Sequence, residues 1–196
     1  MGKIINPGQI IVPEQSFDSY KESEKLLRYI TRTRKSEKKA ADLLAWSGRG
    51  VSLHGGVKAV IKDFELIQRQ YKTDETAYGR HCYHEFFCLR REYVELLGER
   101  LESALVELAA NCMTIYWDRY FQVVCAIHKS QKDIPCVHIH FAVNAVCLGS
   151  GTKWYSCDLD RRRRERKMNE FAIDLNPSWR EIYGSDIDRS YRKHET

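Results

Sequence analysis

Three histidines, His128, His138 and His140, carry the pattern with the most chemical content in this chain. Side chains of a strand alternate between faces, so in the run Val137 to Asn144 the residues His138, His140, Ala142 and Asn144 share one side. Val137, Ile139, Phe141 and Val143 share the other, which is wholly apolar and belongs to a core. Between Lys129 and Cys136 lie the residues Ser130 to Pro135, a polar connection short enough for a hairpin, which brings His128 next to the other two imidazoles. Three neutral imidazoles from neighbouring strands make a facial set of nitrogen ligands with coordination positions left open. Such a face can take a phosphate oxygen and polarise it. Imidazole ligation alone does not choose among zinc, manganese, iron and nickel.

The elements that must position this cluster follow from periodicity. Gln9 to Val12 reads as a short strand closed by Pro13, and Ser16 offers an N-cap to a helix whose buried stripe is Phe17, Tyr20, Leu27 and Ile30. Tyr29 is roughly 100° around that helix from Ile30 and off the stripe, which leaves its hydroxyl available, whereas Tyr20 lies on the buried side. Thr33 to Gly50 reads as a loop followed by a short strand or an irregular turn. A second helix spans Gly56 to about Tyr71, a strand spans Arg80 to Leu89, and one long helix is expected from Glu92 to about Asn111. The hairpin strands cover Tyr120 to Lys129 and Cys136 to Val146, and a basic helix covers about Leu159 to Ile173. Helices interleaved with strands, the last two strands adjacent, predict an α+β fold with a mainly antiparallel central sheet flanked by helices. His81 and His84 face opposite sides of their strand and are read as structural, and Trp46 and Trp154 as core residues.

Composition agrees with one globular domain: 196 residues, 43% hydrophobic and 30% charged. We expect residues 1–175 to form it and 176–196 to be a polar C-terminal tail leading to regions absent from this chain. Without an 18-residue apolar run or a signal-peptide pattern at Met1 to Pro7, membrane insertion is not expected and the expected location is the cytoplasm. The seven cysteines form no C-x-x-C pair and read as reduced, mostly buried thiols. A net charge of +5 is weak by itself; its distribution says more. Tyr20 to Ala40 holds eight Lys/Arg against three Glu, and Arg161 to Lys167 forms a second basic cluster, which favours an anionic partner.

These residues together resemble the conjugative relaxases, the nucleases that nick plasmid or integrative-element DNA at its transfer origin. The family's metal motif, a His, a spacer, His-x-His and an Asn four residues later, is matched by His128, His138, His140 and Asn144. Leu26 to Arg32 followed by Lys35 is similar to the family's N-terminal helix, and Arg80 to Phe87 resembles its central strand. The likeness is closest to the mobilisation and Ti-plasmid border-endonuclease branch. It implies a relaxase-like palm, a divalent metal, Mg²⁺ or Mn²⁺, at the histidines, and Tyr29 as nucleophile forming a covalent 5′-phosphotyrosine. It further implies single-stranded DNA at a transfer origin as substrate, held by Arg28, Arg32, Arg34 and Lys35, with an accessory DNA-binding protein and a type IV secretion coupling protein as partners. Ser130 stands where the family has an Asp, so Asp133, Glu85 or Asn144 would have to supply the general base or support the metal ligands. A rolling-circle replication initiator with the same chemistry, or a non-catalytic single-stranded-DNA-binding module retaining a structural metal site, are the alternatives.

Overall fold

A computed structural model describes residues 5–33, 42–71, 79–130, 136–154 and 157–183. Its strands, β1 (Gly8–Ile11), β2 (Leu43–Arg49), β3 (Cys82–Leu89), β4 (Phe121–Lys129) and β5 (Val137–Cys147), form one antiparallel sheet in the order β1-β3-β5-β4-β2. β5 is central because it is buried on both faces almost throughout, and it is the hairpin partner of β4, as its spacing predicts. The helices are α1 (Tyr20–Ile30), α2 (Gly56–Tyr71), α3 (Arg91–Leu97), α4 (Leu101–Trp117), α5 (Asp158–Leu175) and α6 (Pro177–Tyr183).

Strand alternation divides the interior into two cores. The odd residues of β5, Val137, Ile139, Phe141 and Val143, pack with Cys125, Ile127 and Phe87 against Leu105, Leu108, Cys112 and Tyr116 of α4 and Met168 and Ala172 of α5. The opposite face pairs Cys82, Val124, Ala126 and Ala142 with Leu26, Leu27 and Ile30 of α1 and Val57, Val60 and Phe64 of α2. The result is an α+β sandwich, as expected. Near one end of the second face the small apolar side chains give way to imidazoles, and α1 ends above them.

Three boundaries differ from the sequence reading, and one open alternative is decided. Ser19, not Ser16, caps α1, accepting from the Glu22 amide at 3.3 Å, while Phe17 lies in an isolated bridge to Cys82. The expected long helix is two, because Gly98 takes φ +53, a left-handed conformation that ends α3 and starts a short 3₁₀ turn before α4. Of the short strand or irregular turn expected before Gly50, the structure has the strand: Leu43–Arg49 is an edge strand whose backbone completes the ladder of β4. Within the stretch expected to be a polar tail, α6 packs onto the core, with Trp179 fully buried against Tyr93.

Candidate active site

The end of α1 sets the geometry of the site. Two hydrogen bonds close the helix, Thr33 N to Arg28 O (3.1 Å) and Arg32 N to Tyr29 O (3.3 Å), the pattern of a Schellman motif with Arg32 at the left-handed position. Arg32 has φ +52 where glycine is the usual occupant. This turn leaves Leu26, Leu27 and Ile30 buried and Tyr29 39% exposed, lining a cavity of about 660 Å³. The cavity floor is the sheet face carrying His84, His128, His138 and His140, with Phe86 beside them.

Register explains the convergence. His128 of β4 pairs with His138 of β5, and Ala126 and Phe86 flank His140 from either side. Ring centroids of His128 and His140 are 4.3 Å apart and those of His138 and His140 are 6.1 Å apart. The Tyr29 ring stands edge-on to three imidazoles, 6.1 Å from His140, 6.4 Å from His128 and 6.5 Å from His84. Residues separated by more than a hundred positions in sequence therefore share one pocket.

Burial is the largest influence on all four imidazoles and favours their neutral forms. It lowers His128 and His138 below the ordinary histidine value, and, with neighbouring imidazoles adding to the effect, takes His84 to about 4 and His140 to about 2. Neutral imidazoles are the form that ligates a metal. His128 shows the further arrangement of a ligating histidine: its Nε2–H donates to the Ile30 carbonyl at 2.7 Å, which fixes the tautomer and leaves Nδ1 with the lone pair. The donor chemistry thus fits a divalent cation. Even so, among the described residues no three His, Cys, Asp or Glu side chains are set to grip one ion as they stand. One ring nitrogen of each has a polar neighbour: Arg32 NH2 sits 3.1 Å from His128 Nδ1, His84 Nε2 lies 3.0 Å from His140 Nδ1, and Cys136 Sγ lies 3.2 Å from His138 Nε2.

Residues 29–176 match the relaxase family, MobA/VirD2-like nuclease domain, which begins at Tyr29 and takes in all four imidazoles. The chain belongs to the relaxase family. No curated protein sequence matches it significantly. Membership makes this relaxase a DNA-nicking nuclease in kind, of a family that generally uses a divalent metal and binds single-stranded DNA at an origin of transfer. Among the described residues no helix is long and apolar enough to cross a membrane.

The structure does not bring two of the supporting residues expected from sequence to the imidazoles. Glu85 points into the other core, where it receives hydrogen bonds from Tyr116 (2.9 Å) and Arg164 Nε (3.0 Å) and pairs with Arg164 NH2. Strand alternation forces this, since its neighbour His84 faces the cavity. Asn144 shares the histidine face but lies four residues beyond His140, where it is fully buried. Its side chain bonds Gln122, Gln68, the Phe64 carbonyl and the Val146 amide, so it holds α2 to the sheet and has no capacity left for the site. Asp133, Arg34 and Lys35 lie outside the described residues. Arg28, half-buried, is paired with Glu24 at 2.8 Å.

Two residues were missed. His84, read as structural, stacks on His140 with centroids 5.2 Å apart. Asp42 is the one carboxylate lining the cavity among the described residues, and it grips Arg32 with both oxygens, at 2.9 and 3.0 Å. The alternation of β3 could have found His84 once β3 was paired with β5. Nothing in the sequence pattern singles out Asp42. The second basic cluster divides likewise: Arg164 turns inward to Glu85, while Arg162 and Arg163 stay exposed. Of the seven thiols, all free, Cys82, Cys112, Cys125 and Cys147 are buried and Cys136 and Cys157 are exposed.

Proposed function

We propose that this relaxase domain nicks one DNA strand at the transfer origin of a plasmid or integrative element through Tyr29. The observation that carries the reading is the Tyr29 ring, exposed to the cavity and 6.1–6.5 Å from three imidazoles at its floor. The Tyr29 oxygen attacks phosphorus and loses its proton, the bond from phosphorus to the 3′ oxygen breaks, and that oxygen leaves as a hydroxyl after taking up a proton. The phosphodiester linkage is conserved as a 5′-phosphotyrosine, which permits later religation. Attack on an anionic diester needs charge neutralisation and in-line placement. A divalent ion, Mg²⁺ or Mn²⁺, held by His128, His138 and His140 would supply Lewis acidity to the phosphate. The guanidinium of Arg32, 4.9 Å over the Tyr29 ring, adds positive charge beside the phenol. Arg28 and Arg32, with Arg34 and Lys35, are read as phosphate contacts for single-stranded DNA. In this reading the protein works in the cytoplasm with an accessory DNA-binding protein and a type IV secretion coupling protein.

The test is to incubate the protein with Mn²⁺ and an end-labelled origin oligonucleotide and to resolve the products under denaturing conditions. An adduct on the 5′ end of the downstream fragment, absent in Tyr29→Phe although DNA is still bound, is the expected outcome. Cleavage to two free ends with no adduct on any tyrosine would sink the tyrosine mechanism. Binding without cleavage would favour the second reading, a DNA-binding module retaining the histidines. That reading draws on the absence of a ready-made three-ligand grip among the described residues.

A further inference from the structure

Arg32 stands out within the pocket on four independent grounds. It occupies the left-handed position of the α1 Schellman turn, a conformation that is strained for any residue but glycine. Its side chain is only 6% exposed, although arginine is usually solvated. Asp42 holds it in a two-pronged fork, Nε to Oδ1 and NH2 to Oδ2. The same NH2 donates to His128 Nδ1, the ring nitrogen that the Ile30 carbonyl leaves with its lone pair. A glycine would relieve the backbone, so the strained arginine is consistent with a task that a guanidinium performs at this spot.

We propose that the Arg32–Asp42 pair is a displaceable cover on His128, coupling metal binding to phosphate binding; this rests on the reading of the histidines as a metal site. One lone pair on Nδ1 cannot both accept from Arg32 and bind a cation, so Arg32 and a divalent ion compete for it. The released guanidinium remains beside Tyr29, and its planar fork matches two phosphate oxygens as well as it matches the Asp42 carboxylate. A phosphate that draws Arg32 away from His128 therefore exposes the nitrogen to metal, and metal at Nδ1 frees Arg32 for phosphate. Linkage requires each ligand to tighten the other by the same factor. The pocket is thereby kept from loading metal firmly until a strand is present. Asp42 is a positioning residue in this scheme, since it touches the guanidinium and not the reacting atoms.

The test measures Mn²⁺ binding by calorimetry in the full chain, using wild type, Arg32→Gln, Arg32→Gly, Arg32→Lys and His128→Ala. Glycine suits the left-handed backbone, so Arg32→Gly guards against a folding failure. Loss of the charge-assisted bond to Nδ1 should tighten Mn²⁺ by about tenfold in Arg32→Gln and Arg32→Gly. Arg32→Lys keeps the charge but not the fork, and should also bind more tightly than wild type. In a Tyr29→Phe background, a thymidine dodecamer should strengthen Mn²⁺ binding several-fold, and Arg32→Gln should abolish that coupling. The cover is overturned if the Arg32 variants bind as wild type does, or if Arg32→Lys matches wild type while Arg32→Gln is tighter, which would mean charge repulsion alone. Should His128→Ala bind Mn²⁺ as wild type does, the metal reading itself falls. Loss of binding in His128→Ala with unaltered Arg32 variants would remove only the cover.

Discussion

Replacement of Glu85 separates stability from catalysis in this fold, because its carboxylate serves the core on the far side of the sheet from the histidines. Glu85 and Arg164 side chains are each 5% exposed, and Tyr116 donates to the same carboxylate. Glu85→Ala would remove the carboxylate that pairs with the buried guanidinium of Arg164, a loss of about 3–5 kcal/mol. For a domain of this size each kcal/mol lowers Tm by about 2–4 °C, so Tm should fall by about 6–20 °C. The double variant Glu85→Leu with Arg164→Met removes both charges and should recover most of the loss, since a buried pair exchanged for apolar side chains of similar volume is often neutral or stabilising. Urea and thermal unfolding give the stabilities; nicking and Mn²⁺ affinity are measured well below each Tm. In the double variant both functional readouts should stay near wild type. If instead the double variant folds stably and nicking is lost by orders of magnitude, Glu85 acts in the reaction, and its placement in the far core is the wrong basis for its role.

The remaining expectations concern the cavity and its supports. His84→Ala should leave the fold intact but weaken Mn²⁺ binding by about tenfold to a hundredfold, because His84 orients His140 through their 3.0 Å contact; an unchanged calorimetric Kd would return His84 to a purely structural role. Asn144→Ala breaks four buried hydrogen bonds and should cost about 2–3 kcal/mol in unfolding without altering Mn²⁺ affinity, whereas a selective loss of metal binding would contradict its remoteness from the site. Arg28→Glu should lower the slope of log affinity against log salt for a single-stranded oligonucleotide by about 0.7, the value of one lost phosphate contact. An identical slope would route the strand away from α1.

What the sequence made legible, and what it did not, divides along the distance over which a residue is positioned. The alternation in Val137 to Asn144 and the short spacer before it are local, and they sufficed to put His128, His138 and His140 on one face; the same holds for the full length of α2 and for the exposed position of Tyr29 on α1. Glu85 and His84 turned on one further fact, the phase of β3 relative to β5. With His84 opposite Ala142 and Glu85 opposite Phe141, the imidazole must face the cavity and the carboxylate the far core. Periodicity within β3 alone shows that the two differ but not which is which. Arg32 and Asp42 were harder still. Neither lies on a repeating pattern, and their meeting depends on a left-handed turn at an arginine, which local preference argues against, and on Leu43 pairing with His128 at the start of an edge strand. A basic run such as Tyr20 to Ala40 looks from sequence like a uniform DNA-facing surface. In the fold its described members part company, with Arg28 half-buried on Glu24 and Arg32 turned inward beside Tyr29, so neighbouring charges of one run answer to different tertiary partners.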